Sequence, residues 1–129
     1  YQRTEVSRLA VARHLEYLNR GVEFWNEWRA ANLRIRPVLT GANLEDRDFQ
    51  GVNFLKANLS GSDLRGASFN DANLRYTDFS GCDLRGADFG GANLLLADLT
   101  GATLTDAKGL STEQIEDAIT DETTVLPSR

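Results

Sequence analysis

Residues 61–80 read GSDLRGASFNDANLRYTDFS and residues 81–100 read GCDLRGADFGGANLLLADLT, two blocks that match at 11 of 20 positions. Within them, and beyond them in both directions, every fifth residue from Leu39 to Leu104 is Leu or Phe, which makes 14 consecutive five-residue units. A period of five suits neither common element. Five steps of about 100° around a helix move each apolar residue by about 140° and smear the set over the whole cylinder. On a strand, where side chains alternate with period two, an odd step throws successive Leu and Phe residues onto opposite faces. A chain that turns a corner every five residues and winds round an axis keeps them all inside, with each coil bonded to the next.

The number of sides follows from longer-range identity. Gly41, Gly61, Gly81 and Gly101 recur at steps of 20, as do Phe49, Phe69 and Phe89, and Asn53, Asn73 and Asn93. A step of 15 instead mixes Phe49 with Leu64 and Gly41 with Lys56. Four units make one coil, and the 14 units make three and a half. With coils spaced as neighbouring strands are, the repeat region stands roughly 17 Å tall. Units such as ANLSG (57–61), CDLRG (82–86), ADFGG (87–91) and ANLLL (92–96) resemble the pentapeptide repeat proteins, whose pattern is A(D/N)LXX. The resemblance runs without a phase break and implies an all-β solenoid with helical caps, a right-handed four-sided (quadrilateral) β-helix. Its handedness comes from the resemblance alone.

Composition sets further bounds. With 129 residues, 41% hydrophobic content and one Cys, the chain is expected to be one soluble domain with no disulfide of its own. No apolar run approaches the ~18–20 residues of a membrane helix, so no membrane association is expected. The absence of a visible secretory leader points to the cytoplasm, but the chain does not begin with Met, and a trimmed start leaves an exported compartment open. Residues 1–36 carry 7 basic and 4 acidic side chains, residues 37–108 carry 6 and 10, and residues 109–129 carry 1 and 5, which gives the net charge of −5. An acidic body argues against direct nucleic-acid binding, because phosphates need a clustered basic surface. Arg3, Arg8, Arg13 and Arg20 read as the solvated face of a helix.

The flanks read as covers for the solenoid's ends, which would otherwise expose unpaired edges and an apolar cross-section. Residues 1–36 form an N-terminal helical cap, 37–108 the β-helix, and 109–129 a C-terminal helical cap and tail. Val11, Leu15, Leu18, Val22 and Trp25 form one apolar stripe. Thr4 is the expected N-cap, and Gly21 either splits the segment into helices of roughly 5–20 and 22–31, the favoured reading, or is a tolerated interruption of one helix. Trp25 and Trp28, with Phe24 nearby, carry too much apolar area to stay wet. A similar Trp-Asn-x-Trp-Arg helix covers the open end in some members of the family that the repeats resemble. At the other end, Ser111 with Gln114 forms a capping box and Leu110 with Ile115 a hydrophobic staple, opening a helix over 112–119 whose apolar side holds Ile115, Ala118 and Ile119. Val125 and Leu126 are expected to fold back on the body.

Inside the repeats, the residue two before each Leu or Phe points to the crowded axis and must be small. Ala57, Ala67, Ala72, Ala87, Ala92, Ala97, Ala102 and Cys82 comply, and Ser62 and Thr77 fit by bonding ladder carbonyls. Arg47 does not fit, and its guanidinium is expected to escape past the first coil toward the N-terminal helix. Corners want Gly at their third residue, where type II turns need positive φ. The column Lys56, Tyr76 and Leu96 lacks it, so that corner uses another turn type or accepts strain.

Chemistry is sparse. His14, the only His, is expected at the surface beside Arg13 and Glu16, and no triad or metal set assembles around it. No cofactor, metal or catalytic residue is expected, and the chain reads as a non-enzyme. Cys82 faces inward as inert packing. Asp63, Asp78, Asp83 and Asp98 form outward acidic rows, with Arg65 and Arg85 relieving the first and third. Two functions compete. One is a non-catalytic scaffold for a protein partner. The other, implied by family members associated with quinolone resistance, is a mimic of DNA charge acting on a DNA-binding enzyme such as gyrase. The mimic is weakened by a height of only about five base pairs and by Arg65, Arg75 and Arg85 interrupting the rows. Residues 109–129 hold no clear dimer signal, so a monomer or weak homodimer is expected. The candidate protein-binding surface is the cluster Leu55, Tyr76, Leu95 and Leu96 on the fourth face. Either the N-terminal helices lie along it and bury it, or they cap the end and leave it free.

Overall fold

The computed structural model describes residues 2–128, and their side chains from Arg8 onward. Its framework is a ladder of parallel bridges between residues 20 apart. Val38 pairs with Asn58, Asn43 with Asp63, Asp48 with Ser68 and Asn53 with Asn73, and the four columns continue as far as Asp88 with Lys108. Each rung closes through two hydrogen bonds, as where the Leu39 N–H donates to the Asn58 carbonyl at 2.7 Å and the Asn58 N–H to the Pro37 carbonyl at 2.8 Å. Each side contributes a single bridged residue before the next corner, so among the described residues no side grows into a longer strand.

All 14 central Leu and Phe residues are at most 1% exposed. The small residues two before them also point inward, and Val52 takes one of these places. Ser62 and Thr77 donate to the Leu39 and Phe54 carbonyls at 2.8 and 2.7 Å, and the Cys82 thiol to the Leu59 carbonyl at 3.0 Å. Burial pushes that thiol up to about 12 and leaves it an un-ionised packing group. Phe69 stacks between Phe49 and Phe89 at 5.6 and 5.4 Å, which turns the 20-residue Phe column into a continuous aromatic stack.

The Asp or Asn that precedes 11 of the 14 central residues has a local task. Its side-chain oxygen accepts the backbone N–H two residues on, as Asp78 does from Ser80 at 2.8 Å and Asp98 from Thr100 at 3.0 Å, and so ties the corner. The third corner residue is left-handed. Lys56, Tyr76 and Leu96 adopt φ of 62°, 57° and 56° there, close to Gly61 at 69°. The Gly-free corner therefore accepts strain, which costs roughly 1–2 kcal/mol per residue.

Two helices precede the solenoid, α1 (Gln2–Asn19) and α2 (Val22–Ala31), parted at Gly21 with φ 105°. Thr4 lies within α1 rather than before it, and its side chain is outside the described ones. Arg47 reaches out of the first coil as expected: its guanidinium donates to Asn19 at 3.0 Å and lies 5.5 Å from the Phe49 ring centre.

At the other end the capping box forms, with the Gln114 N–H donating to the Ser111 hydroxyl at 3.1 Å and the Ser111 N–H to the Gln114 amide oxygen at 2.7 Å. The helix it opens, α3 (Thr112–Asp117), stops two residues short of the expected 119. Ile119 is not on its apolar side; it pairs with Asp98, donating to the Ala97 carbonyl and accepting from the Leu99 N–H at 2.8 Å each. Two ladder bonds to a preformed edge outweigh further propagation of a six-residue helix. Val125 pairs with Thr103 in the same way, so the tail adds rungs as well as covering the end.

Candidate protein-binding face

Whether the fourth face is covered depends on how α2 sits, and four polar side chains fix that seat. The first coil has no predecessor to satisfy its backbone, so its edge must be met from outside the ladder. The Asn26 amide takes the place of a missing rung: it accepts from the Asn53 N–H at 2.8 Å and donates to the Gly51 carbonyl at 3.0 Å. The Trp25 indole donates to the Asn53 carbonyl at 2.8 Å while its ring meets Phe54 edge-on at 5.6 Å. Arg29, 1% exposed, donates to the carbonyls of Ile35 at 2.7 Å and of Asn32 and Leu55 at 3.1 Å. The Trp-Asn-x-Trp-Arg motif is thus a set of donors and acceptors spaced to fit an open coil.

His14 is the fourth, and it corrects the expectation of a surface residue. It is buried, its ring centre 5.1 Å from that of Trp28, and its Nδ1 accepts the Val38 N–H at 2.8 Å. That bond requires a neutral ring. Burial, then the positive charges of Arg13 and Arg29, hold its pKa below the ordinary histidine value. The unfolded chain therefore binds a proton that the folded chain refuses. Stability contributed by His14 is complete above about pH 6.5 and falls as the pH drops below that value. The urea midpoint should be lower at about pH 5.5 than at about pH 7.5, and His14→Gln should flatten the difference. A midpoint that does not move in the parent protein would contradict the neutral-ring assignment.

With α2 seated on the end of the coil, the helices do not lie along the solenoid's length. Tyr76, Leu95 and Leu96 are 48%, 41% and 42% exposed, and Leu55 is half-buried beside Arg29. They are neighbours because 55, 75 and 95 share one column and 56, 76 and 96 the next.

The acidic rows are less free. The Arg65 guanidinium grips Asp63 at 2.9 and 2.7 Å and reaches Glu45 at 2.6 Å, and Arg85 grips Asp83 at 2.9 and 2.6 Å. These hydrogen bonds hold the Asp63 and Asp83 carboxyls below the usual carboxylate range. Asp78 and Asp98 tie their own corners. Among the described residues no group of His, Cys, Asp or Glu is arranged to hold a metal ion, and no helix is long and apolar enough to cross a membrane.

A family model described as pentapeptide repeats matches residues 38–75 and 77–108 in eight copies, more than half of the chain. The chain belongs to the pentapeptide repeat family. Membership implies the right-handed, quadrilateral β-helix, to which the 20-residue rungs conform. Among solved pentapeptide repeat structures, one from Nostoc PCC 7120 is 29% identical, with 83% of this chain and 85% of that one covered at a TM-score of 0.41. Another, from the Arabidopsis thaliana thylakoid lumen, is also 29% identical, and this chain spans 61% of its length while 67% of this chain is covered, at a TM-score of 0.36. QnrB1, a plasmid-mediated fluoroquinolone resistance protein, is 19% identical over 68% of this chain and 58% of its own, at a TM-score of 0.35. No curated protein matches the sequence.

Proposed function

We propose that this pentapeptide repeat protein is a non-catalytic scaffold that receives a protein partner on the face formed by Leu55, Tyr76, Leu95 and Leu96. The observation that carries the reading is the exposure of Tyr76, Leu95 and Leu96 together on one face while α2 occupies the end of the solenoid. Contiguous apolar surface on an otherwise polar body is uncommon without a use. The alternative, a mimic of DNA charge acting on an enzyme such as gyrase, needs uninterrupted negative rows, and the pairing of Asp63 and Asp83 with Arg65 and Arg85 favours the scaffold instead. Leu95→Glu with Leu96→Glu separates the cases. The urea midpoint should hardly move, because neither side chain is in the core, while capture of a partner from an extract of the source cells is lost. Retained capture would remove this face from consideration. Inhibition of gyrase supercoiling that disappears on neutralising Asp63, Asp78, Asp83 and Asp98 would favour the mimic.

A further inference from the structure

One corner of the solenoid differs from the other three in charge and in backbone. Ile35 and Arg36, ahead of the first coil, extend the two outward columns, so that Ile35, Leu55, Arg75 and Leu95 follow one another and Arg36, Lys56, Tyr76 and Leu96 run beside them. In a chain of net charge −5, neither column holds a carboxylate between residues 35 and 96, and the first acidic residue to follow in the ladder is Asp117, whose carbonyl accepts the Leu96 N–H at 2.8 Å at the C-terminal end. Its cations are also underused. Arg65 and Arg85, on the opposite corner, are locked to carboxylates at 2.6 Å. Among the described residues Arg34 and Lys56 make no ion pair, Arg75 donates through its Nε to Asn73 at 3.2 Å, and Arg36 lies 3.9 Å from Asp78. Leu33, Arg34, Ile35 and Arg36 line a shallow groove with Lys56 and Tyr76.

The backbone sets this corner apart independently. Where other corners lack Gly at the left-handed position they use Asp46, Asp71 and Asp106. A short polar side chain tolerates that conformation, whereas Lys, Tyr and Leu do not. None of Lys56, Tyr76 and Leu96 is buried, so packing does not recover the strain. Side chains held against a backbone cost, with no return in the core, mark positions kept for an external contact.

We propose that this corner docks an acidic amphipathic helix of a partner protein. The assignment rests on the scaffold reading and names the chemistry of its partner. Coils repeat at about 4.8 Å along the solenoid axis, near the helical pitch of about 5.4 Å. A helix lying parallel to that axis therefore sets one residue per turn against each coil. Its apolar stripe meets Leu55, Tyr76, Leu95 and Leu96, and a flank of Glu and Asp meets Arg34, Lys56 and Arg75. An extended segment rises by about 3.4 Å per residue, alternates sides and falls out of step with the coils. Phosphate would satisfy the cations but gives Leu95 and Leu96 no aliphatic partner.

The test uses the full chain and a fluorescent helical peptide of about 20 residues with Leu at i, i+3, i+4 and i+7 and Glu on both flanks. A Lys-flanked counterpart and a DNA duplex of about 20 base pairs serve as competing probes, and anisotropy is followed from low to high salt. The Glu peptide should bind at least about ten-fold more tightly than either probe and weaken as salt rises. Arg34→Glu with Lys56→Glu should weaken it about ten-fold or more with the circular dichroism unchanged, and the corresponding Gln pair should weaken it less. Equal binding of the Lys peptide, tighter binding of the duplex, or indifference to both charge variants overturns the proposal. If Leu95→Glu with Leu96→Glu releases the Glu peptide while Arg34→Glu with Lys56→Glu does not, the charge assignment fails and the docking face stands. If neither releases it, both fail.

Discussion

Phe69→Ala is expected to lower the unfolding free energy by about 3–5 kcal/mol, the largest effect of any single truncation in the solenoid. The ring is 0% exposed, stacks on Phe49 and Phe89, and meets Phe54 and Phe79 edge-on at 6.4 and 5.7 Å. Its removal leaves a cavity at the axis that no neighbour fills, because rungs above and below fix the surrounding backbone through ladder bonds. Since domains of this size are stable by only about 5–15 kcal/mol, the variant should unfold at far lower urea. Arg85→Ala, on the outside of the next coil, should leave the midpoint nearly unchanged. Equal shifts for the two would contradict the division into inward and outward positions.

Arg29→Met should cost about 3–5 kcal/mol, although it lies outside the repeats. The substitution keeps an apolar stem but strands three part-buried carbonyls, those of Asn32, Ile35 and Leu55, that the guanidinium now satisfies. Burial lowers the Arg29 pKa from its usual value, yet a guanidinium remains cationic at any ordinary pH, so these are charge-assisted bonds. The loss should appear in urea unfolding, with hydrogen exchange showing the coil beneath α2 opening first. A loss below about 1 kcal/mol would mean that water replaces the guanidinium at no net cost.

The repeat was legible because its constraint is local and recurs. One residue in five must be Leu or Phe, the residue two before it must be small, and the residue just before it ties a corner, so each unit repeats the same message. The covers carry no such redundancy. His14 sits between charged neighbours in the sequence, and only the approach of Val38, 24 residues away, reveals that it accepts a backbone N–H. Asn26 and Arg29 belong to a motif whose capping role came from resemblance, but the carbonyls and the amide that they meet belong to Asn32, Ile35, Gly51, Asn53 and Leu55, which no helical periodicity announces. The end of α3 was misread for a related reason. Ile119 fits a helical stripe on spacing alone, and the competing edge at Ala97 and Leu99 exists only once the coil is wound. On the candidate face, the columns of Leu55, Tyr76, Leu95 and Leu96 follow from the period of 20, whereas their freedom from cover depends on where α2 docks.

The rungs also decide how such a chain changes length over evolutionary time. Between Leu39 and Leu104 every corner is a tight turn and every bridge that joins two residues of that span links positions 20 apart, so the body has no slack. A residue gained or lost there must bulge from a corner or turn a Leu or Phe from the axis toward water. Growth by whole blocks avoids both: duplicating 20 residues adds a coil of about 4.8 Å and extends the Phe49, Phe69 and Phe89 column by one ring. The C-terminal end follows looser rules. Ile119 lies 21 residues from Asp98 and Val125 lies 22 from Thr103, because α3 and the turn after it stand outside the ladder and absorb the surplus. Single-residue insertions and deletions are therefore expected to gather after Lys108 among relatives, with the coils themselves multiplied or lost only as units.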